Sequence, residues 1–458
     1  MLALPDQRQH TKWRQQPMKV DDLILISVDD HIVEPPTMFD QHLTVEQKAF
    51  APKVLKDKNG ADYWLFEGRR AGNIGLNAVV GRNREEYGCE PISFEQMRRG
   101  AWDIKARVDD MNANGLLASL NFPSVVTFDG SLFHQFDNKK NALTLLKAYN
   151  DWHIDEWCGS FPGRNIPNAI VPYWNINATV EEIKRVVAKG CHAISFTDNP
   201  SLKGQPSLHD AHWEPLWKVC AENKVVINIH IGSGAQAPHA SMDTPIDAWI
   251  ITMPISIVNS AADWLHLKAL HRYPDLKIAL SEGGIGWIPY FLERADFVHD
   301  HHRAWTYADF GGKKPSEVFR EHFLTCFIDD KFGLKNLEDI GEDNVAYECD
   351  YPHSDTVWPE CPDRLIETVS HLPAGTIDKI THGNAMRLYN FDAFGLMGGR
   401  QNCTAGALRA RATHIDTRPQ SFGGPAPLAE GETRRCVTSG DIIKMFTQVS
   451  KEDGKIEA

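Results

Sequence analysis

The sequence predicts an α/β chain folded as a distorted TIM (β/α)8 barrel with insertions and a C-terminal extension. Three observations lead there. Short β-branched runs are apolar along nearly their whole length; longer amphipathic segments separate them; and there are eight such runs. Strands without polar alternation are buried on both faces, which in a chain alternating strand and helix means a parallel sheet covered by helices. Eight repeats of that unit close into a barrel.

The runs are justified in chain order. The first, LILISVDD (23–30), is followed by an insertion, 35–103, rich in Gly, Arg and Glu. LLASLNF (116–122) and NAIVPYW (168–174) come next. The segment TVEEIKRVVAKG (179–190) reads as an amphipathic helix with Thr179 as N-cap and Gly190 just past its end. HAISFT (192–197), VVINIHI (225–231) and KIALSE (277–282) continue the pattern. A second interruption, 299–322, carries HDHHRAW before LTCFID (324–329) and NVAYECD (344–350). Insertions at strand ends lie on the face where a barrel builds its active site, so both are candidate lids. The dense histidines of 299–303 stand among charged residues and read as solvated surface or a subunit contact. Beyond Phe391 the periodicity fades into a Gly-, Pro- and Arg-containing tail, closed by a short helix at 440–452. The expected organisation is an N-terminal arm (1–21), a barrel (22–392) and a C-terminal extension (393–458).

Length allows this as one enlarged barrel or as several domains, since 458 residues exceed the usual domain size. With 42% hydrophobic and 24% charged residues the composition is globular. A net charge of −13 argues against a sequence-independent grip on nucleic acid, which needs a basic surface. The most apolar stretch, AWIITMPISIV, is broken by Pro254 and falls short of a membrane span. The start of the sequence lacks an apolar secretory core. The nine cysteines are scattered without a CxxC pair and read as reduced core thiols of a cytoplasmic protein.

Four segments can carry chemistry. In SVDDHIVEPP, Asp29 and His31 are two residues apart on a strand and share a side, so both can address one divalent ion. Glu34 can reach the same ion or hydrogen-bond His31. The bland alternative makes an aspartate a turn cap and His31 a satisfied polar residue. In VVINIHIGSG, His230 ends an apolar strand and is either a hydrogen-bonded core residue or a ligand. Glu282 ends another, where a buried carboxylate is costly without a cation. Asp350 ends the last, preceded by Glu348 and followed by His353 and Asp355, any of which can instead cap a loop. Acidic and imidazole groups at the ends of strands one, five, six and eight favour a metal centre over four separate structural explanations. GGIG and IGSG complete no phosphate-binding motif, and no GxSxG elbow occurs.

The ordered set DDHIVEPP, NIHIGSG, EGGIGWIPYFLERAD, DYPHSD and THGNAMRLYNF resembles the amidohydrolase-related family. That metal-dependent barrel group includes aminocarboxymuconate-semialdehyde decarboxylase and γ-resorcylate decarboxylase. The resemblance spans about residues 22–392. It implies a distorted barrel of the metal-dependent hydrolase type and makes Asp29, His31, His230 and Asp350 metal ligands. One position departs: decarboxylases of the family carry an acid/base histidine where this chain has Glu282. A carboxylate there is a poor proton donor near neutrality but a good bridging ligand. The long first insertion, EGGIGW and DYPHSD are similar to a branch whose members include hydroxylases with dinuclear iron or manganese–iron centres, such as 2-aminoisobutyric acid hydroxylase.

The expectation is an O2-dependent hydroxylase (monooxygenase) of an aliphatic C–H bond in a small organic or amino acid. Its ligands would be Asp29, His31, Glu34, His230, Glu282 and Asp350; Glu282, Asp350 and His353 would be catalytic, and iron and/or manganese would form a dinuclear centre. The alternative is a mononuclear zinc- or manganese-dependent decarboxylase or hydrolase. A further one is an accessory subunit of a hetero-oligomer with a related partner, which the Arg/Pro-rich tail motivates; a homo-oligomer is expected otherwise. Arg69, Arg70, Arg82, Arg84, Lys105 and Arg107 are candidate binders of a substrate anion.

Overall fold

A computed structural model of the chain describes residues 18–71, 74–88, 90–234, 240–423, 431 and 433–442. Its strands are β1 (Ile26–Ile32), β2 (Lys53–Lys56), β3 (Asp62–Phe66), β4 (Arg69–Ala71), β5 (Ala118–Pro123), β6 (Asn165–Ile166), β7 (Ala169–Ile170), β8 (Ala193–Phe196), β9 (Val226–His230), β10 (Lys277–Ser281), β11 (Phe323–Phe327) and β12 (Val345–Tyr347). Nine of them form one parallel sheet in the order β6-β5-β1-β12-β11-β10-β9-β8-β7. The two ends of that order, β6 and β7, are pieces of one chain segment separated by Pro167 and Asn168. Eight strand positions therefore close a ring whose third member is broken where proline supplies no ladder donor. The expected third strand, 168–174, thus begins earlier and ends at Ile170, ahead of Pro172.

The helices lie outside this ring. Ile176–Val187 is capped by the Asn175 side chain, which accepts the Ala178 N–H at 3.1 Å. Thr179, the expected cap, lies inside the helix and donates its hydroxyl to the Pro172 carbonyl at 2.9 Å. Ile227, Ile229, Ile278 and Leu280 point outward into the main core, with Trp213, Trp217 and Trp264 from the helical layer. Inside the ring, Ile26, Val28, Leu120, Phe122, Val226, Ala279, Leu324, Cys326 and Ala346 pack into a separate floor. Asn228 adds a polar tie: it accepts the Tyr389 hydroxyl at 2.6 Å and donates to the Ile194 carbonyl at 3.2 Å.

The first insertion contains the antiparallel sheet β2-β3-β4. Trp64 and Phe66 from it pack with Phe133, Phe136, Tyr149 and Trp152 in a second core beside the mouth of the barrel. Residues 299–322 are mostly helical: 299–306 finish the helix Ile288–Thr306, and 315–322 form the helix Pro315–His322 leading into β11. His301 and His302 lie on that first helix, His301 stacked on Phe297 and His302 bonded to Trp305.

The chain beyond Phe391 is laid over the barrel. Ala405 N–H bonds the Leu23 carbonyl at 2.7 Å, the Phe422 N–H bonds Glu86 at 2.9 Å, and Ser439 N–H bonds Thr244 at 2.9 Å. Of the closing helix expected at 440–452, residues 440–442 are helical; 443–452, like most of the N-terminal arm, lie outside the described residues. Among the described residues no helix is long and apolar enough to cross a membrane.

Candidate metal centre

A one-residue bulge in β1 builds one side of the site. Ser27 pairs with Ser119 and Asp30 with Asn121, so three steps on β1 match two on β5. Ile26 and Val28 face the barrel floor, and the extra residue then turns Asp29 and His31 inward as well. Asp30 is left on the other side of the strand. Its carboxylate takes the Ser27 hydroxyl at 2.8 Å, lies 3.7 Å from Arg107, and is pushed up to about 6 by burial, against the pull of Arg107 and these hydrogen bonds.

The other side chains come from strand ends. His230 closes β9. Glu282 and Asp350 follow β10 and β12 with φ of 58° and 56°. Left-handed backbone is disfavoured for residues with a Cβ and concentrates at functional sites. Here it swings both carboxylates back over the ring.

The resulting geometry is tight. His31 Nε2 lies 3.6 Å from Asp29 and 3.4 Å from Asp350. His230 Nε2 is 3.6 Å from Asp29 and 2.9 Å from Glu282. His353 Nδ1 is 2.9 Å from Asp350, and its ring stacks on His31 at 3.8 Å. Potential ligand atoms fall into three groups, each within 4.8 Å: His31, Glu282, Asp350 and His353; Asp29, His31 and His230; and Asp29, Cys326 and Glu348.

Two observations show that this set fits a cation. First, both carboxylate oxygens of Asp29 and of Asp350, and both ring nitrogens of His31, are buried without a hydrogen-bond partner. Idle polar atoms at that density are costly unless something else satisfies them. Second, His230 Nδ1 lies 2.6 Å from the Ile231 carbonyl, which places its proton there and turns the Nε2 lone pair toward Glu282. A lone pair facing a carboxylate at that distance needs a proton or a cation between them.

Electrostatics agree. Burial, then the charges of Glu348, Glu282 and Asp350, push the Asp29 carboxyl well up; burial and Glu282 do the same to Asp350. Burial pushes Glu348 up as well, with Asp350 adding to it. Burial holds His31 and His353 below the ordinary imidazole value, so they are neutral donors. Glu282 is held below the usual carboxylate range: burial works upward but is outweighed by His230 and His353.

Five of the six expected ligands, Asp29, His31, His230, Glu282 and Asp350, thus converge, together with His353. Glu34 does not join them. Its carboxylate accepts the N–H groups of Ser124 and Val125 at 3.1 and 2.9 Å, satisfying the loop after β5. Burial pushes Glu34 up to about 7, against these bonds. A carboxyl bound more tightly to its proton in the folded state favours folding at acid pH, and that contribution is lost as pH rises from about 4.5 through 7. Glu34→Gln should therefore gain stability relative to the parent between pH 5 and 8, by up to about 3 kcal/mol at ~1.4 kcal/mol per pKa unit. Denaturant melts at both pH values check this; a constant difference would contradict it. Asp355 is exposed at the rim.

Nothing in its sequence context singles out Cys326, which in LTCFID reads as a small core residue. The flanking aromatics were equally silent: the Phe128 ring lies 5.1 Å from His31 and 4.0 Å from His230. Phe128 also borders a cavity of about 360 Å3, whose walls include Arg70, Ser124, Asp129, Lys203 and Ser233. Lys203 Nζ lies 3.6 Å from Asp129 within it. Of the candidate anion binders only Arg70 lines this space. Arg107 is fully buried and donates to the Gly100 carbonyl at 2.7 Å, to Asn121 at 2.8 Å and to the His31 carbonyl. Arg82 donates to the Gln96 carbonyl, Arg69 to Glu67 and Gln135, and Lys105 to Asp109.

Comparison with known proteins adds the family. The amidohydrolase family model matches residues 38–391, beginning after Asp29 and His31. Among solved structures, an amidohydrolase from Mycobacterium avium subsp. paratuberculosis K-10 superposes with a TM-score of 0.62 at 19% identity, covering 80% of this chain and 99% of that one. The 5-carboxyvanillate decarboxylase LigW from Sphingomonas paucimobilis gives 0.55 at 19%, with 81% and 100% covered. A 5-carboxyvanillate decarboxylase from Novosphingobium aromaticivorans DSM 12444, with bound manganese, gives 0.55 at 16%, with 82% and 100% covered. At these identities the likeness is one of fold.

Proposed function

The chain belongs to the amidohydrolase family, and from that premise we propose that it is a divalent-metal-dependent decarboxylase or hydrolase of a small organic acid. The observation that carries this reading is the convergence of Asp29, His31, His230 and Asp350, with idle buried atoms, beside a cavity that holds Arg70 and Lys203. The four would hold the ion, with Glu282 and His353 against it. A divalent ion there supplies positive charge to a substrate oxygen, or lowers the pKa of a bound water toward ~7. The decarboxylases that share the fold act, by their names, on a carboxylate-bearing compound, which agrees with the cationic wall.

The chain's own residues do the rest. Lys203 and Arg70 bind and orient the substrate anion. Phe122 and Phe128, packed against His31 and His230, keep water from the reacting end. Glu282, ionised beside His230, accepts a proton from water or substrate and returns it to the product.

Lys203→Ala should raise KM about tenfold, equivalent to ~1.4 kcal/mol, with kcat within about twofold of the parent. Steady-state kinetics check it; an unchanged KM removes Lys203 from the substrate site.

One observation favours the oxygenase reading instead. The pocket gathers Asp29, Glu282, Glu348 and Asp350, a hard oxygen donor set that suits iron or manganese better than zinc. Elemental analysis of protein isolated without added metal, with CO2 or product release from a panel of small carboxylic acids under strict anaerobiosis, separates the two. Anaerobic turnover supports the decarboxylase or hydrolase; product formed only with O2 consumption overturns it.

A further inference from the structure

We propose that a second divalent cation is bound deeper in the barrel, by Asp29, Cys326 and Glu348, with the thiolate of Cys326 as a ligand. The three side chains come from β1, from β11 and from the residue just past β12, and their ligand atoms lie within 4.8 Å of one another, all buried. They form the layer between the Asp29–His31–His230 group above and the apolar floor of Leu324, Ala346 and Val226 below.

Two further observations point to an ion there. Asp29 is common to this group and to the one above it, and both of its oxygens are buried without a hydrogen bond. A carboxylate with two idle oxygens is arranged to bridge. Charge supplies the other observation. Asp29, Glu282 and Asp350 form their ion pairs, among the described residues, with His31, His230 and His353 and with no lysine or arginine. Arg107 lies at Asp30, on the other side of β1. With Glu348 the interior holds four carboxylates, and one divalent ion offsets only two of them. The remainder must take up protons or a second cation, and the unpartnered Asp29 oxygens beside Cys326 and Glu348 are placed for a cation.

The inner donor set differs from the outer one in containing sulfur. A thiolate with two carboxylates suits Zn2+, Fe2+ or Co2+ and is a poor site for Mg2+ or Ca2+. Binding breaks the Cys326 S–H bond, now 3.5 Å from the Leu280 carbonyl; the proton leaves to solvent as the sulfur–metal bond forms, with no change of oxidation state. The site rests on the outer centre only through the shared Asp29.

Cobalt reads sulfur ligation directly. Metal-stripped full-length protein is titrated with Co2+ while bound metal and the near-ultraviolet spectrum are followed. A first equivalent should bind without a sulfur-to-cobalt charge-transfer band, and a second should bring that band. Cys326→Ser should abolish the band and the second equivalent while keeping the first. A saturated parent with no band overturns the inner site, as does a Cys326→Ser variant with the parent's band and stoichiometry. If Cys326→Ser does not fold by circular dichroism, Glu348→Gln decides: loss of the second equivalent supports the site and full retention overturns it. Failure of the outer centre looks different, since it removes the first, band-free equivalent and leaves sulfur ligation visible.

Discussion

His31→Ala is expected to lose bound metal and to lower turnover by more than about a hundredfold. Replacing a residue that merely orients a ligand costs ~10–100-fold in affinity or activity, and His31 is placed to act more directly than that. It belongs to two of the three ligand groups, lies 3.4 Å from Asp350 and 3.6 Å from Asp29, and has both nitrogens idle. Its removal takes the one imidazole common to the outer groups and leaves Asp29 and Asp350 facing each other's charge. Metal content by elemental analysis, measured with turnover on the same preparation, checks the result. A variant with the parent's metal content and activity would show that the convergence of these side chains is structural.

The second large effect is on stability. Arg107→Met should destabilise the fold by about 3–5 kcal/mol, the usual cost of removing one partner from a buried charged network. The guanidinium supplies donors to Gly100, Asn121 and the His31 carbonyl, and stacks 4.3 Å over the Tyr351 ring. Without it those acceptors and the Asp30 carboxylate are stranded in the interior. Lysine should not rescue, because one ammonium cannot reach acceptors arranged for a planar fork. Denaturant unfolding checks both variants, and a loss under about 1 kcal/mol for Arg107→Met would refute the assignment. The same substitution should weaken metal binding, since Arg107 holds the backbone of a ligand.

These two residues also show how far the sequence carries. The ring of parallel strands is legible because apolar runs without alternation leave few other folds. The convergence of Asp29, His31, His230, Glu282 and Asp350 is legible for the same reason: strand ends in a closed ring point to one place. Arg107 is not, since an arginine in a charged helical segment looks like any surface cation until its three acceptors are known. Glu34 misleads because its partners, the N–H groups of Ser124 and Val125, belong to a loop with no side-chain signature. The broken third strand hides because Asn165 and Ile166 are too few to read as a strand. The reaction itself, decarboxylation, hydrolysis or hydroxylation, depends on which ions the donors hold, and residue types narrow that choice without fixing it.

The extra residue in β1 has a consequence for how this protein can vary. Because sidedness along a strand alternates, the neighbours Val28 and Asp29 can both face the lumen only by virtue of that extra residue. Deleting Val28 would restore an even count, with Ser27 and Asp30 keeping their partners on β5 and Asp29 and His31 staying inside. The bulge is thus slack that a single-codon deletion can take up, whereas the same loss in a stretch of regular pairing would turn every later side chain to the opposite face.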